Sequence, residues 1–167
     1  MRRCATRLQR AMRCAVLCAL AGAAASVPAA AQETVNITVP TVVSFPVGDI
    51  TSSTSGTPSP STVSYSSASL MGKALRISVT ADAAAFTPPG GAGIPVSKVS
   101  WSILGQNGGT GTGGTLSSSS YGRVFQSNPA STSGHVDVAW SLAAPGSGIR
   151  AGNHQLTIRW KVESIMP

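Results

Sequence analysis

The sequence predicts an all-β chain folded as an antiparallel β-sandwich of about seven to eight strands. Two observations predict it. Apolar residues fall into short runs that alternate with polar ones, and no stretch after residue 31 carries a convincing apolar period of 3.6. Ser, Thr, Gly and Pro fill the segments between those runs, as turns between short strands require. Successive side chains of a strand point to opposite faces, so each run has one buried and one wet side.

In chain order, Val35, Ile37 and Val39 form the first run. Residues 42–47 form a weaker one, which Pro46 demotes to a sheet edge or bulge. Residues 63–65 and 121–125 are two further weak candidates. Strong alternation returns at Leu75, Ile77 and Val79, then at Val99, Trp101 and Ile103. It appears again at Val136, Val138, Trp140 and Leu142, and finally at Leu156, Ile158, Trp160 and Val162. Residues 81–86 are the one stretch able to make a helical turn, and Pro88-Pro89 stops it.

Among the connections, residues 51–61 contain no apolar side chain and read as a mobile surface loop. Residues 88–95 include Pro-Pro-Gly-Gly and read as a tight, exposed crossing. Residues 105–120, rich in Gly and hydroxyls, read as a flexible or weakly paired strand edge, with a binding loop as the competing reading.

The first 31 residues have the order of a cleaved export signal. Arg2, Arg3, Arg7, Arg10 and Arg13 precede an apolar run over residues 15–27, and Ala29 and Ala31 then supply the small A-x-A positions before Gln32. That run is too short for an ordinary transmembrane helix. Ala15-Val16-Leu17 before Cys18 lacks the pattern of a lipid-attachment box. The expected product is one exported domain, residues 32–167, bound for the periplasm, the cell surface or the medium, and not spanning the membrane. Removing the signal leaves seven basic residues against five acidic ones, a net +2 in place of +7. Those seven form no run, and no basic patch studded with aromatics is present, so nucleic acid is not an expected partner. Cys4, Cys14 and Cys18 all leave with the signal, so the domain must be held by its core.

Trp101, Trp140 and Trp160 each occur as Trp-x-aliphatic within a run. Each shares its face with Val, Ile or Leu, which makes all three structural core anchors in preference to a stacking platform for sugars. Trp140-Ser141-Leu142, followed by His154-Gln155-Leu156-Thr157-Ile158-Arg159-Trp160-Lys161-Val162, resembles the paired motifs of bacterial WxL-type surface domains. His154 stands where Tyr is usual there, Val162 replaces Leu, and Ala144-Pro145 follows the first motif instead of the second. Ala151-Gly152-Asn153-His154 is similar to the turn that introduces the last strand of fimbrial and spore-coat-U-type secreted sandwiches. The resemblance implies an immunoglobulin-like or pilin-like sandwich with an assembly or adhesion role and no catalytic site. In fimbrial subunits an N-terminal strand can complete a neighbour's sheet by β-strand addition. Val35, Ile37 and Val39, placed directly behind the cleavage site, are the candidate strand donor, the alternative being that they form the domain's own first strand.

Catalytic patterns are not expected. No Ser lies in a Gly-x-Ser-x-Gly elbow, and the Gly-rich stretch 108–114 lacks the Lys of a P-loop. The carboxylates after residue 31 are Glu33, Asp49, Asp82, Asp137 and Glu163, with Glu33 expected at a frayed end and none in a catalytic context. His135 and Asp137 share a wet face and read as a solvated pair, with His154 heading the next strand; they do not make a closed metal site. Asn36-Ile37-Thr38 is a formal glycosylation sequon that reads as incidental strand residues. No cofactor, metal or enzymatic activity is expected. The expected function is a secreted structural or adhesive surface component whose partners are other copies of itself or related surface subunits. The alternative is a carbohydrate-binding module that meets cell-surface glycans through Tyr121, Tyr65 or a partly exposed Trp.

Overall fold

Alternation at period two makes β1 (Thr34–Thr38), β5 (Ala74–Ala81), β6 (Val99–Asn107), β10 (Gly134–Leu142) and β11 (Gly152–Ile165). The weaker runs make β2 (Val42–Val47), β4 (Ser61–Ser69) and β9 (Gly122–Ser127). Three short strands, β3 (Thr54–Ser55), β7 (Gly109–Gly111) and β8 (Gly114–Thr115), lie in stretches with no strand pattern. This computed structural model describes residues 32–86 and 92–167; the predicted signal and the Pro-Pro-Gly-Gly sequence lie outside the described residues. The described chain is all-β, its sole helical piece being a 3-10 turn at Val96–Lys98.

The strands form two antiparallel sheets. One has the order β1-β4-β10-β6-β8, with β3 also paired to β10; the other has the order β2-β11-β5-β9-β7. Their apolar faces meet in one cluster that takes Val136, Val138 and Leu142 from the first sheet, and Leu75, Ile77, Val79, Leu156 and Ile158 from the second. The wet face of β10 carries His135, Asp137, Ala139 and Ser141. β2 is an edge strand, where the missing N–H of Pro46 leaves no ladder bond to β11 unmade: Ser44 turns its N–H and C=O outward to Thr57, and Pro46, two residues on, faces the same way.

One expectation about loops is corrected and one is met. Residues 51–61 are tied to both sheets, with Thr54 and Ser55 pairing Leu142 and Ser141 of β10, and Thr57 bridging Ser44 of β2. Asp49 begins the approach by accepting bonds from the Thr51 N–H (2.8 Å) and hydroxyl (2.7 Å). Those bonds from Thr51, the backbone one first, hold its carboxyl below the usual range. The polar side chains of this segment misled because its backbone makes the attachment. Gly56 donates its N–H to the Trp140 carbonyl at 2.9 Å, and a Cβ on it would come 2.7 Å from the Trp140 Cβ. Residues 105–120 hold the weakly paired strand edge that the sequence predicts, because β7 and β8 are short outermost strands that pair with β9 and β6.

That second segment is shaped around an indole. Trp101 Nε1 donates to the Thr112 carbonyl at 2.8 Å. Gly114 and Gly122 flank the ring so closely that a Cβ on either would stand 2.6 Å from it. Trp101 then meets Trp140 at 5.9 Å between ring centroids, and Trp140 meets Trp160 edge-on at 6.5 Å. The row runs from β6 through β10 to β11 and so crosses from one sheet to the other. Trp101 and Trp140 are buried, and Trp160 is half-buried with its Nε1 donating to the Pro40 carbonyl.

Trp140 is 2% exposed and touches the residues on either side of it in this row. Trp140→Ala is expected to lower unfolding free energy by about 3–5 kcal/mol, measured by urea denaturation of the purified protein. A loss under about 1 kcal/mol would mean that the row is not a core element.

Candidate functional site

The N-terminal segment changes sheets as it runs along β11. Residues 34–38 bond to β4 of the first sheet, whereas residues 42–47 bond to β11 of the second. Pro40 and Thr41 lie at the crossover, where Thr41 accepts from the Ile158 N–H at 3.0 Å. β1 is therefore an edge strand paired to its own chain's β4, with Ile37 opposite Tyr65 and Asn36 opposite Ser66. Val35, Ile37 and Val39 pack against the core but are only half-buried. Trp160 and Val162 point into the same corner from β11, and Val162 remains 37% exposed. The result is a corner at which two sheet edges run side by side with apolar side chains partly uncovered.

Glu33 fastens this corner, contrary to its expected place at a frayed end. Its Oε1 accepts from Lys73 Nζ and its Oε2 from Ser164 Oγ, each at 2.5 Å. The hydrogen bond from Lys73 is the largest influence holding the carboxyl below its ordinary value of 4.5, with the Ser164 bond next. These partners lie 40 and 131 residues away, so no local sequence pattern points to them.

A second candidate is a polar cleft of about 230 Å³ on the outer side of the other sheet. Asp82, Arg159, Ser118, Ser119, Ser120 and Tyr121 line it. Arg159 and Asp82 form an ion pair, and Ser117 Oγ accepts from the Ser119 and Ser120 N–H groups at 3.1 and 3.3 Å. Tyr121 is 47% exposed, with Lys161 Nζ 5.8 Å from its ring centroid. An aromatic face beside hydroxyls and a carboxylate–guanidinium pair suits a polyhydroxylated ligand. Tyr121 was legible in the sequence, but its pairing with Asp82 and Arg159 depends on β5 and β11 being neighbours.

Other sequence candidates are placed elsewhere. Tyr65 is a β4 core residue 2% exposed, and its hydroxyl donates to the Gly108 carbonyl at 2.9 Å, so it cannot stack against a sugar. Burial pushes its phenol up, against opposing hydrogen bonds with Ser127 and Ser131. His135 and Asp137 lie on β10, which belongs to the opposite sheet from the β11 that carries His154, so the three do not share a hairpin. Asp137 accepts from the Thr62 hydroxyl at 2.6 Å across the β4–β10 pair. His154 is buried against Phe86, with Nε2 donating to the Arg150 carbonyl at 2.9 Å. Among the described residues no group of three or more His, Cys, Asp or Glu is placed to hold a metal, and no helix is long and apolar enough to cross a membrane.

Compared with known proteins, the chain matches no family model, no curated protein and no solved structure.

Because the folded state favours ionised Glu33, its contribution is present above pH 4.5 and fades as pH falls through the lowered folded value. Glu33→Gln is expected to reduce hydrogen-exchange protection across Thr34–Thr38 at neutral pH relative to wild type. The difference should vanish well below the carboxylate range. Equal protection at neutral pH would show that this tie does not hold β1.

Proposed function

We propose that this protein is an exported structural or adhesive surface component. In this reading residues 1–31 are removed as a signal, and residues 32–167 act as a β-sandwich of immunoglobulin-like or pilin-like type in the periplasm, at the cell surface or outside the cell. Copies of the chain, or related surface subunits, assemble by exchange of β1. The observation that carries the reading is the placement of β1: an edge strand bonded on one side only, directly behind the predicted cleavage site, with its apolar face half-buried. Such a strand can leave its sheet at modest cost and be replaced by the equivalent strand of a neighbour. The sheet pairing and the single core support the sandwich, and the signal pattern of residues 1–31 supports export.

Size-exclusion chromatography of the exported protein is expected to show a ladder of assemblies, with residues 32–40 cleaved readily in the monomer fraction. A single monomeric peak in which residues 32–40 resist proteolysis would overturn strand exchange.

The Tyr121 cleft favours a second reading, a carbohydrate-binding module without catalytic activity. Its expected signature is glycan-array binding that Tyr121→Ala abolishes while the circular dichroism spectrum stays unchanged. No glycan binding by the wild-type protein removes this reading.

A further inference from the structure

We infer that the outer edge of β11 pairs with the same edge of a second copy, about a two-fold axis through Val162. The inference goes beyond strand exchange, because β1 stays paired to its own β4 in both copies.

β11 is fourteen residues long, and its two edges are used unequally. Residues 152–157 bond β2 on one side, and residues 158–165 bond β5 on the other, in unbroken register. The Ile158 N–H points to the β2 side, where it reaches Thr41, whereas the Thr157 carbonyl points to the β5 side, where Asp82 reaches it. Main-chain groups alternate sides along a strand. The N–H and C=O of Trp160, Val162 and Ser164 therefore face outward on the β2 side, past the start of β2. Among the described residues no strand pairs with them there, since β1 belongs to the other sheet.

Other edges among the described residues are blunted. β2 contains Pro46, β1 has five residues followed closely by Pro40, and β7 and β8 have three and two residues. The outer edge of residues 158–165 has no proline and no bulge.

What this edge presents is complementary to itself. An antiparallel partner centred on Val162 places Val162 opposite Val162, Trp160 opposite Ser164, and Lys161 opposite Glu163. The first two kinds of pair have outward main-chain groups and exchange N–H···O=C bonds. Lys161 and Glu163 then fall in the closer, non-hydrogen-bonded positions, where opposite charges attract best. The two already lie 2.7 Å apart within one chain. Across the axis they would form a four-charge cluster of alternating sign. The pairing would also bring the two Val162 side chains together, each 37% exposed in the single chain. A two-fold contact of this kind closes on itself and yields a dimer.

The test is sedimentation equilibrium on protein purified after export of the full chain, for wild type, Lys161→Glu and Glu163→Lys. The wild type is expected to dimerise. Each substitution makes the facing charges alike and should raise the dissociation constant at least about tenfold. An equimolar mixture of the two variants should form heterodimers, an outcome that misfolded variants could not give. Asn36→Cys with Ser66→Cys, which locks β1 to β4 through an oxidised pair, should leave the dimer intact. Val162→Cys should yield a disulfide joining position 162 of the two copies, because the expected Cα separation of about 5.5 Å suits one.

A wild-type protein that is monomeric at every concentration, or a dimer indifferent to both charge changes, overturns the inference. A dimer lost on locking β1 also overturns it and supports strand exchange instead. A dimer that survives the lock supports the β11 edge whether or not β1 is ever exchanged.

Discussion

The indole of Trp140 is the contact on which the rest of the fold depends. No cysteine follows residue 18, so within residues 32–167 the sheets are joined by packing and backbone bonds. Trp140 meets Trp101 in its own sheet and Trp160 in the facing one. Gly56 rests on its Cβ, which brings the β3 segment against both β10 and β2. Its Nε1 has no hydrogen-bond partner among the described residues. A buried donor left this way opposes folding, so the site holds Trp for its size and shape. The Gly-rich segment around Trp101 follows the same logic at the next position of the row. Glycines there accommodate a ring where any side chain would collide with it.

Strand positions were legible because burial imposes a period of two. Val136, Val138, Trp140 and Leu142 could be placed on one face without any structure, and the structure buries all four. The stitching between sheets was not legible. Thr54, Ser55 and Thr57 attach through main-chain groups that every residue possesses, so their side chains carry no signal of it. Gly56 offered a hint only in hindsight, since a Gly among hydroxyls reads as a turn until the aromatic residue it faces is known. Glu33 shows the same limit for charges. Its partners become neighbours only through the order β1-β4 in one sheet and β11-β5 in the other. The Tyr121 cleft was half legible: the exposed aromatic was visible, but the arrival of Asp82 and Arg159 beside it was not.

The N-terminal segment and β11 are best understood as one unit. Residues 33–47 follow β11 over most of its length but pair with its main chain only over its first half, because the chain changes sheets at Pro40. One consequence is that β1 closes the edge of the first sheet with its apolar face half covered. The other is that, among the described residues, no strand pairs with the second half of β11 on that side. Both openings arise from the same crossover. A straight continuation of β2 past Thr41 would have covered the edge of β11 and left β4 bare.

This geometry separates two kinds of assembly that a sequence pattern cannot distinguish. Exchange of β1 must break the bonds to β4 and the Glu33 tie before any are formed elsewhere. Edge pairing of β11 breaks no main-chain bond of either partner's described residues, since the groups it uses have no main-chain partner among them. Its side chains also mark a register: one residue of slippage sets outward main-chain groups opposite inward ones and takes Lys161 from opposite Glu163, and two residues set Lys161 against Lys161 or Glu163 against Glu163. The Lys161–Val162–Glu163 triplet thus acts as a register mark as well as a solvated face. Where other edges protect themselves with proline or brevity, this one is protected by permitting only the pairing that its charges select.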